Sequence, residues 1–327
     1  MKLKFLLFIA FFNPISAEQI IFSADNFWGT GDNLVSLYNA YVYAKKYNLK
    51  LEYNPFAFAE QFECYDILRP LSVDTSNWIE VRTERDILAN LHNPNAKFCI
   101  NVMSERLVPD AVTAQEAKRL LMPNKGLNLD YLKLEQHDAL VIMVHVRKGN
   151  NPENYQGELK SDQIYDYDRS IIKYNHVKNE PLFAHYMAAS ASQQKGGLDG
   201  YWILKYPPEQ YYIDQINRII ESSDKDIIIK IVTDEKDPLA LIERFKKQII
   251  HPQVKIEFYD NTHKDFKTRI IEDLYILSQG DIVIHAKSSY AYVADVMGNH
   301  KTIILPEYSR WIDNKLIVTD VTIQDFI

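Results

Sequence analysis

Three polar clusters stand at the ends of apolar runs in this sequence, and their side chains suit the capture of an anion. His145, Arg147, Lys148 and Asn150 follow the run Ala139 to Val144. Thr233, Asp234 and Glu235 follow Ile227 to Val232, and Lys287, Ser288, Ser289 and Tyr290 follow Ile282 to His285. A guanidinium beside an ammonium group holds phosphate oxygens by charge-assisted hydrogen bonds. Small hydroxyls and exposed backbone N–H groups at the start of a helix favour the same ligand. An acidic pair suits a ribose diol or a base N–H, as carboxylates do in dinucleotide sites. Each cluster also has a plainer reading. Ser288 or Ser289 serves equally as an ordinary N-cap, Asp234-Glu235 as a solvated turn, and His145 as a strand-end histidine.

For the clusters to act together, the elements before them must lie side by side. Each apolar run is short and rich in β-branched residues, which is the pattern of a strand buried on both faces of a parallel sheet. From Pro207 onward the spacing predicts a helix from about Glu209 to Ser222, a strand from Asp226 to Val232, a helix from Pro238 to about Gln248 and a strand from Val254 to Tyr259. A helix from Thr268 to Ser278, a strand from Asp281 to His285, a helix from Ser289 to Met297 and a last strand from Thr302 to Leu305 follow. This alternation predicts an α/β fold with a doubly wound parallel sheet, in which polar residues after each strand converge on one edge.

The N-terminal part repeats the theme. Ile20 to Phe22 reads as a strand and Phe27 to Asn33 as a turn. The helix after it carries Leu34, Leu37, Tyr38, Tyr41 and Val42 on one face, and Leu49 to Tyr53 alternates as the next strand. Only 10 of 327 residues are glycine, so Gly29 and Gly31 together imply positive φ or close backbone approach, in a tight turn or a ligand-facing loop. Prolines 70, 94, 109 and 123 break the middle of the chain, where Ala111 to Leu121 is the clearest helix. The approach to the central strand puts a domain boundary near Gln136, dividing the chain at 18–136 and 137–327. The long polar and aromatic stretch from Asn150 to Tyr206 reads either as a binding segment or lid, or as a solvated insertion.

Composition narrows the classes. The chain is 46% hydrophobic and 12% aromatic, enough for a substantial core, and its net charge of -7 offers no basic field for a nucleic-acid backbone. Residues 1–17 have the order of a secretory signal peptide: Lys2 and Lys4, the apolar run Phe5 to Phe12, and a small residue at Ala17. That run is too short to span a bilayer, and no later segment is long enough; the competing reading is a buried first strand. A signal peptide implies the lumen of the secretory pathway or secretion. With two cysteines, Cys64 and Cys99, one disulfide or two buried thiols are both open, and no multi-thiolate metal site is available. The sequence lacks a Walker loop, a Gly-x-Gly-x-x-Gly after a C-terminal strand, a His-Glu-x-x-His and a Gly-x-Ser-x-Gly elbow, which argues against the corresponding ATPase, dehydrogenase, metalloprotease and serine hydrolase classes.

Taken in order, five segments resemble one enzyme superfamily. Val144-His145-Val146-Arg147-Lys148-Gly149-Asn150 is similar to the His-x-Arg-Arg-Gly-Asp segment of the α-1,2-fucosyltransferases and the related α-1,6- and protein O-fucosyltransferases. Asp273 to Gln279 with Ala286 to Tyr290 is similar to their Asp-Leu-x-x-Met-Ser and Asn-Ser-Ser-Phe region. Gly29-Thr30-Gly31-Asp32-Asn33 resembles their Gly-x-Gly-Asn-Gln turn, Thr233-Asp234-Glu235 their Ser-Asp-Asp, and Tyr211-Tyr212 their paired tyrosines.

The resemblance implies a GT-B-like architecture of two Rossmann-like domains, with an acceptor-side N-terminal domain and a C-terminal domain that binds the nucleotide sugar. It implies inverting transfer of fucose from GDP-fucose to a glycan or glycoprotein hydroxyl, with no metal or other cofactor required. Arg147 would pair with the donor pyrophosphate, and Ser288, Ser289 and their neighbours Lys287 and Tyr290 would support the phosphates. Asp234 or Glu235 would face the nucleoside, Gly31 and Asn33 would close over the sugar, and His145, Lys148 and Asn150 would complete the donor site. Asp32, at the expected cleft, is the candidate base for the acceptor hydroxyl. Three departures stand out: Lys148 for the second arginine, Asn150 for aspartate and Lys287 for asparagine. A lysine is a point charge where arginine is a fork, so these changes leave open another GDP-sugar or a lost activity. The alternatives are a pyruvyl-transferase-like enzyme using phosphoenolpyruvate and a non-catalytic glycan-binding protein.

Overall fold

The computed structural model describes residues 19–23, 29–68, 70–100, 110–134, 138–148, 204–312 and 315–325, together with 166–167 and 173–175; beyond residue 306 and in those two short pieces only the backbone is described. The expected signal peptide, Gly149, Asn150 and nearly all of the stretch from 151 to 203 lie outside the described residues.

The N-terminal lobe opens with β1 (Ile20–Ser23), α1 (Thr30–Tyr47) and β2 (Lys50–Tyr53), then α2 (Glu63–Ile67), β3 (Ile79–Glu80), α3 (Glu84–Leu88), β4 (Lys97–Ile100) and α4 (Ala111–Leu121). Its four strands run parallel in the order β2-β1-β4-β3. The chain leaves the central β1 through Gly29, whose φ of 126° is open only to glycine. Gly31, Asp32 and Asn33, expected in a turn, form the first helical turn of α1 instead. Asn33 makes this possible by donating from both its backbone N–H and its Nδ2 to the Gly29 carbonyl, each at 3.1 Å.

The second lobe begins with β5 (Leu140–Val146), followed by the short strands β6 (Asp166–Tyr167) and β7 (Lys173–Asn175). Then come α5 (Glu209–Glu221), β8 (Ile227–Thr233), α6 (Pro238–Gln248), β9 (Val254–Phe258), α7 (Phe266–Leu277), β10 (Ile282–His285), α8 (Ser289–Met297), β11 (Thr302–Ile312) and β12 (Lys315–Asp325). Strands β11, β10, β5, β8 and β9 are parallel neighbours in that order. The expected parallel sheet needs one amendment. The last strand runs on past Leu305 to Ile312 and turns back antiparallel as β12, adding a hairpin to that edge. Chain order reverses between β5 and β10, and open α/β sheets hold ligands in the crevice beyond such a switch point.

The caps explain where several helices start. Asp110, Asp237 and Asp265 each accept a backbone N–H from the first turn of α4, α6 and α7, and Pro238 occupies the first turn of α6, where its missing N–H costs nothing. Between the lobes the apolar core is continuous. Leu34, Leu37 and Tyr38 of α1 and Leu120 and Leu121 of α4 share one buried cluster with Leu274 and Leu277 of α7 and Tyr292 and Val293 of α8. At about 1.5–3 kcal/mol for each fully buried large side chain, this shared core fixes the lobes against each other. Lys118 of α4 adds a polar tie, its Nζ donating to the Gly298 carbonyl and to Asn299 Oδ1, both at 2.8 Å. Cys64 and Cys99 are both buried and not joined to each other, so the disulfide alternative falls. Among the described residues, no helix is long and apolar enough to cross a membrane and no cluster of metal-ligating side chains occurs.

Candidate active site

The carboxyl edges of both sheets face one cavity of about 570 Å³. Segments more than 200 residues apart line it: Gly29 to Asn33 from the N-terminal lobe, His145 and Arg147 after β5, Thr233 and Asp234 after β8, and Ser288, Ser289 and Tyr290 at the start of α8. The close approach of α1 and α8 depends on Gly31. A Cβ there would lie 2.7 Å from the Tyr290 backbone nitrogen and 2.8 Å from its Cα. The N-termini of two helices therefore meet at the cavity, and their unsatisfied N–H groups and dipoles favour negative charge there.

Arg147 projects from the end of β5, with its guanidinium over the ring of Tyr206 at 5.2 Å from the centroid. Asp234 lines the cavity and also braces this turn: its Oδ1 accepts the backbone N–H of Lys148 at 2.5 Å. Across the lobes, Ser289 Oγ donates to Asp32 Oδ1. Ser288 stands at the N-cap position of α8 without making the side-chain capping bond. Tyr290 is anchored by its hydroxyl on the Ile270 carbonyl and packs against His145, ring centroids 5.6 Å apart. His145 is buried with Nδ1 unpartnered, and burial, helped by Arg147 and His285, pushes its ionisation down to about 3. It is therefore a neutral imidazole at physiological pH.

Three expected site residues lie outside the cavity lining. Lys148 turns its Nζ to Glu209 at 2.7 Å, and Glu209 also takes a two-pronged bond from Arg244. Glu235 bonds within its own turn, its Oε1 accepting the Lys236 N–H. Lys287 is buried behind the β10–α8 turn, and its backbone N–H donates to the Leu204 carbonyl at 2.8 Å. Asn150 lies outside the described residues.

A second end of the cavity was not expected from the sequence. Phe266, Arg269, Ile270 and Asp273 line it from one face of α7, at the spacing i, i+3, i+4 and i+7 that puts residues on one side of a helix. Asn261 Nδ2 donates to Asp273 Oδ1 at 2.8 Å. Burial raises the Asp273 carboxyl to about 7 against the opposing pull of Asn261 and Arg269. Facing it from the N-terminal lobe is Phe58, held at φ 70° and ψ 15°. That backbone costs a bulky residue roughly 1–3 kcal/mol, and it brings the ring to Phe266, centroids 6.1 Å apart and edge to face. Lys267 and Glu60 pair beside them at 2.6 Å. Lys205 is a further lining residue.

No protein-family model and no curated protein matches the chain. Comparison with solved structures defines the fold: it is the two-lobed α/β fold also seen in the GT-B fucosyltransferases. An Arabidopsis thaliana FUT1 mutant in complex with GDP is similar with a TM-score of 0.54 and 12% identity, over 93% of this chain and 73% of that one. POFUT1 in complex with GDP is similar with a TM-score of 0.50 and 12% identity, over 87% of this chain and 95% of that one. The α-1,6-fucosyltransferase NodZ soaked with GDP-fucose aligns over 95% of this chain and all of the other at 14% identity, with a TM-score of 0.48. At these identities the likeness is one of fold.

Proposed function

We propose that this chain is a fucosyltransferase-like glycosyltransferase that moves a sugar, fucose in the simplest reading, from a GDP donor to a glycan or glycoprotein hydroxyl with inversion. The observation that carries the proposal is the gathering of Arg147, Asp234, Ser288 and Ser289 at one cavity between two lobes, beneath two helix N-termini. Breaking the bond between the sugar and the diphosphate places negative charge on the leaving oxygen. Arg147 and the α8 N-terminus stabilise it there, in a site where charge interactions are stronger than in water. The account needs no metal for that step. Two structures of matching fold, with TM-scores of 0.54 and 0.50, were both obtained with GDP, which makes GDP the first nucleotide to try.

The acceptor hydroxyl needs a base, and Asp32 takes that role from the N-terminal lobe. Its bond from Ser289 leaves the second carboxylate oxygen to meet a hydroxyl. Asp32→Asn is expected to lower kcat while leaving GDP affinity within a few-fold. The order of residues 1–17 supports a secretory signal peptide, which would put the enzyme in the secretory lumen or outside the cell; N-terminal sequencing of the secreted chain, expected to start at Glu18, checks it.

Thermal-shift screening with GDP, UDP and phosphoenolpyruvate tests the reading, because a ligand bound only by the folded state raises the melting temperature. GDP should raise it and the other two should not. A shift with phosphoenolpyruvate alone would favour a pyruvyl transfer instead, and no shift with any of them would favour a non-catalytic glycan-binding role.

A further inference from the structure

A diphosphate leaving group carries two to three negative charges, more than one guanidinium balances, and the lysine that follows Arg147 does not line the cavity. Lys148 is bonded to Glu209 at 2.7 Å and is absent from the cavity lining. Two other cations line the cavity, Lys205 and Arg269. Arg269 sits four residues before Asp273 on the same face of α7 and acts on its ionisation, which places it at the far end, beside that carboxyl.

Lys205 is at the opposite end. The residue before it, Leu204, is fully buried, and its carbonyl receives the N–H of Lys287 at the β10–α8 turn at 2.8 Å. The residue after it, Tyr206, lies under the Arg147 guanidinium. The segment is thereby pinned on one side to the turn carrying Ser288 and Ser289, and on the other to Arg147. We infer that Lys205 is the second phosphate-binding cation of this site, supplied by the segment before α5 in place of Lys148. This rests on the nucleoside-diphosphate reading above and adds a residue to it. The β-phosphate would lie between Arg147 and Lys205, with Lys148 and Glu209 acting as a strut behind the turn.

The test is calorimetric titration of GDP, GMP and guanosine into the wild type, Lys205→Met, Lys205→Arg and Lys148→Met. A lost charge-assisted contact should weaken GDP binding by Lys205→Met on the order of 10- to 100-fold and leave guanosine binding unchanged. Lys205→Arg should recover most of the loss, and Lys148→Met should keep the wild-type ratio of GDP to guanosine affinity. If the wild type binds GDP and Lys205→Met binds it equally well, or loses GDP and guanosine alike, the role of Lys205 is overturned while the nucleotide site stands. If the wild type binds no GDP, the functional reading fails and takes this inference with it.

Discussion

The two ends of the cavity are built by different means. At one end Arg147, Asp234, Ser288 and Ser289 sit where strands β5, β8 and β10 stop. A parallel sheet delivers such residues to one edge whatever the loops do. At the other end Arg269, Ile270 and Asp273 come from the side of one helix, and Phe58 from a loop in the opposite lobe. The first end brings a guanidinium and a carboxylate together with small hydroxyls, and the second sets a half-buried carboxyl and another guanidinium beside aromatic rings. The contrast implies a division of labour: charge handling at the strand ends, shape and hydrogen-bond selection at the helix face.

The largest expected effect is at the strand ends. Arg147→Ala should lower transfer and donor hydrolysis by on the order of 10²- to 10³-fold, as loss of one preorganised donor does, with the melting temperature little changed. Near-normal turnover would remove the distinction between the ends. Next is Gly31→Ala, which presses a methyl group into the Tyr290 backbone. Overpacking of this kind costs about 1–3 kcal/mol, so denaturant titration should show a lower midpoint with an unchanged slope.

The helix-face end should show itself through pH. Asp273 titrates near 7 when folded against an ordinary 3.8. Between those values the folded chain holds a proton that the unfolded chain has released, so this residue makes stability fall as pH rises. Asp273→Asn removes that slope, and the melting temperature of the variant relative to wild type should climb from pH 5 to pH 8. A constant difference would mean that the carboxyl ionises normally. The smallest effect is expected behind the cavity, where Arg244→Ala removes a partly exposed partner of Glu209. About 0.2–1 kcal/mol of stability should be lost, with GDP affinity unchanged by calorimetry.

The same contrast explains what the sequence disclosed. The strand and helix order from Pro207 is legible because buried strands and capped helices leave local marks, and helices α6 and α8 match their expected limits at both ends. Arg147, Asp234, Ser288 and Ser289 were legible as strand-end residues for that reason. Lys148, Glu235 and Lys287 share those positions in sequence, but neighbouring side chains and backbone orientation turn them away, and neither is encoded locally. The face of α7 had a signal in its spacing. The helix was expected to begin at Thr268, however, which separated Phe266 from Arg269, Ile270 and Asp273. Phe58 left no mark, since a left-handed residue in a loop is set by the packing around it. Gly29 and Gly31 answered both alternatives at once, one needing positive φ and the other close approach.

A crystal structure of the chain grown with GDP tests the central claim most directly. The account predicts nucleotide in the cleft, with the diphosphate within hydrogen-bond distance of the Arg147 guanidinium and the backbone N–H groups that open α8. A cleft without nucleotide at saturating GDP, or phosphates bound away from Arg147, would contradict it.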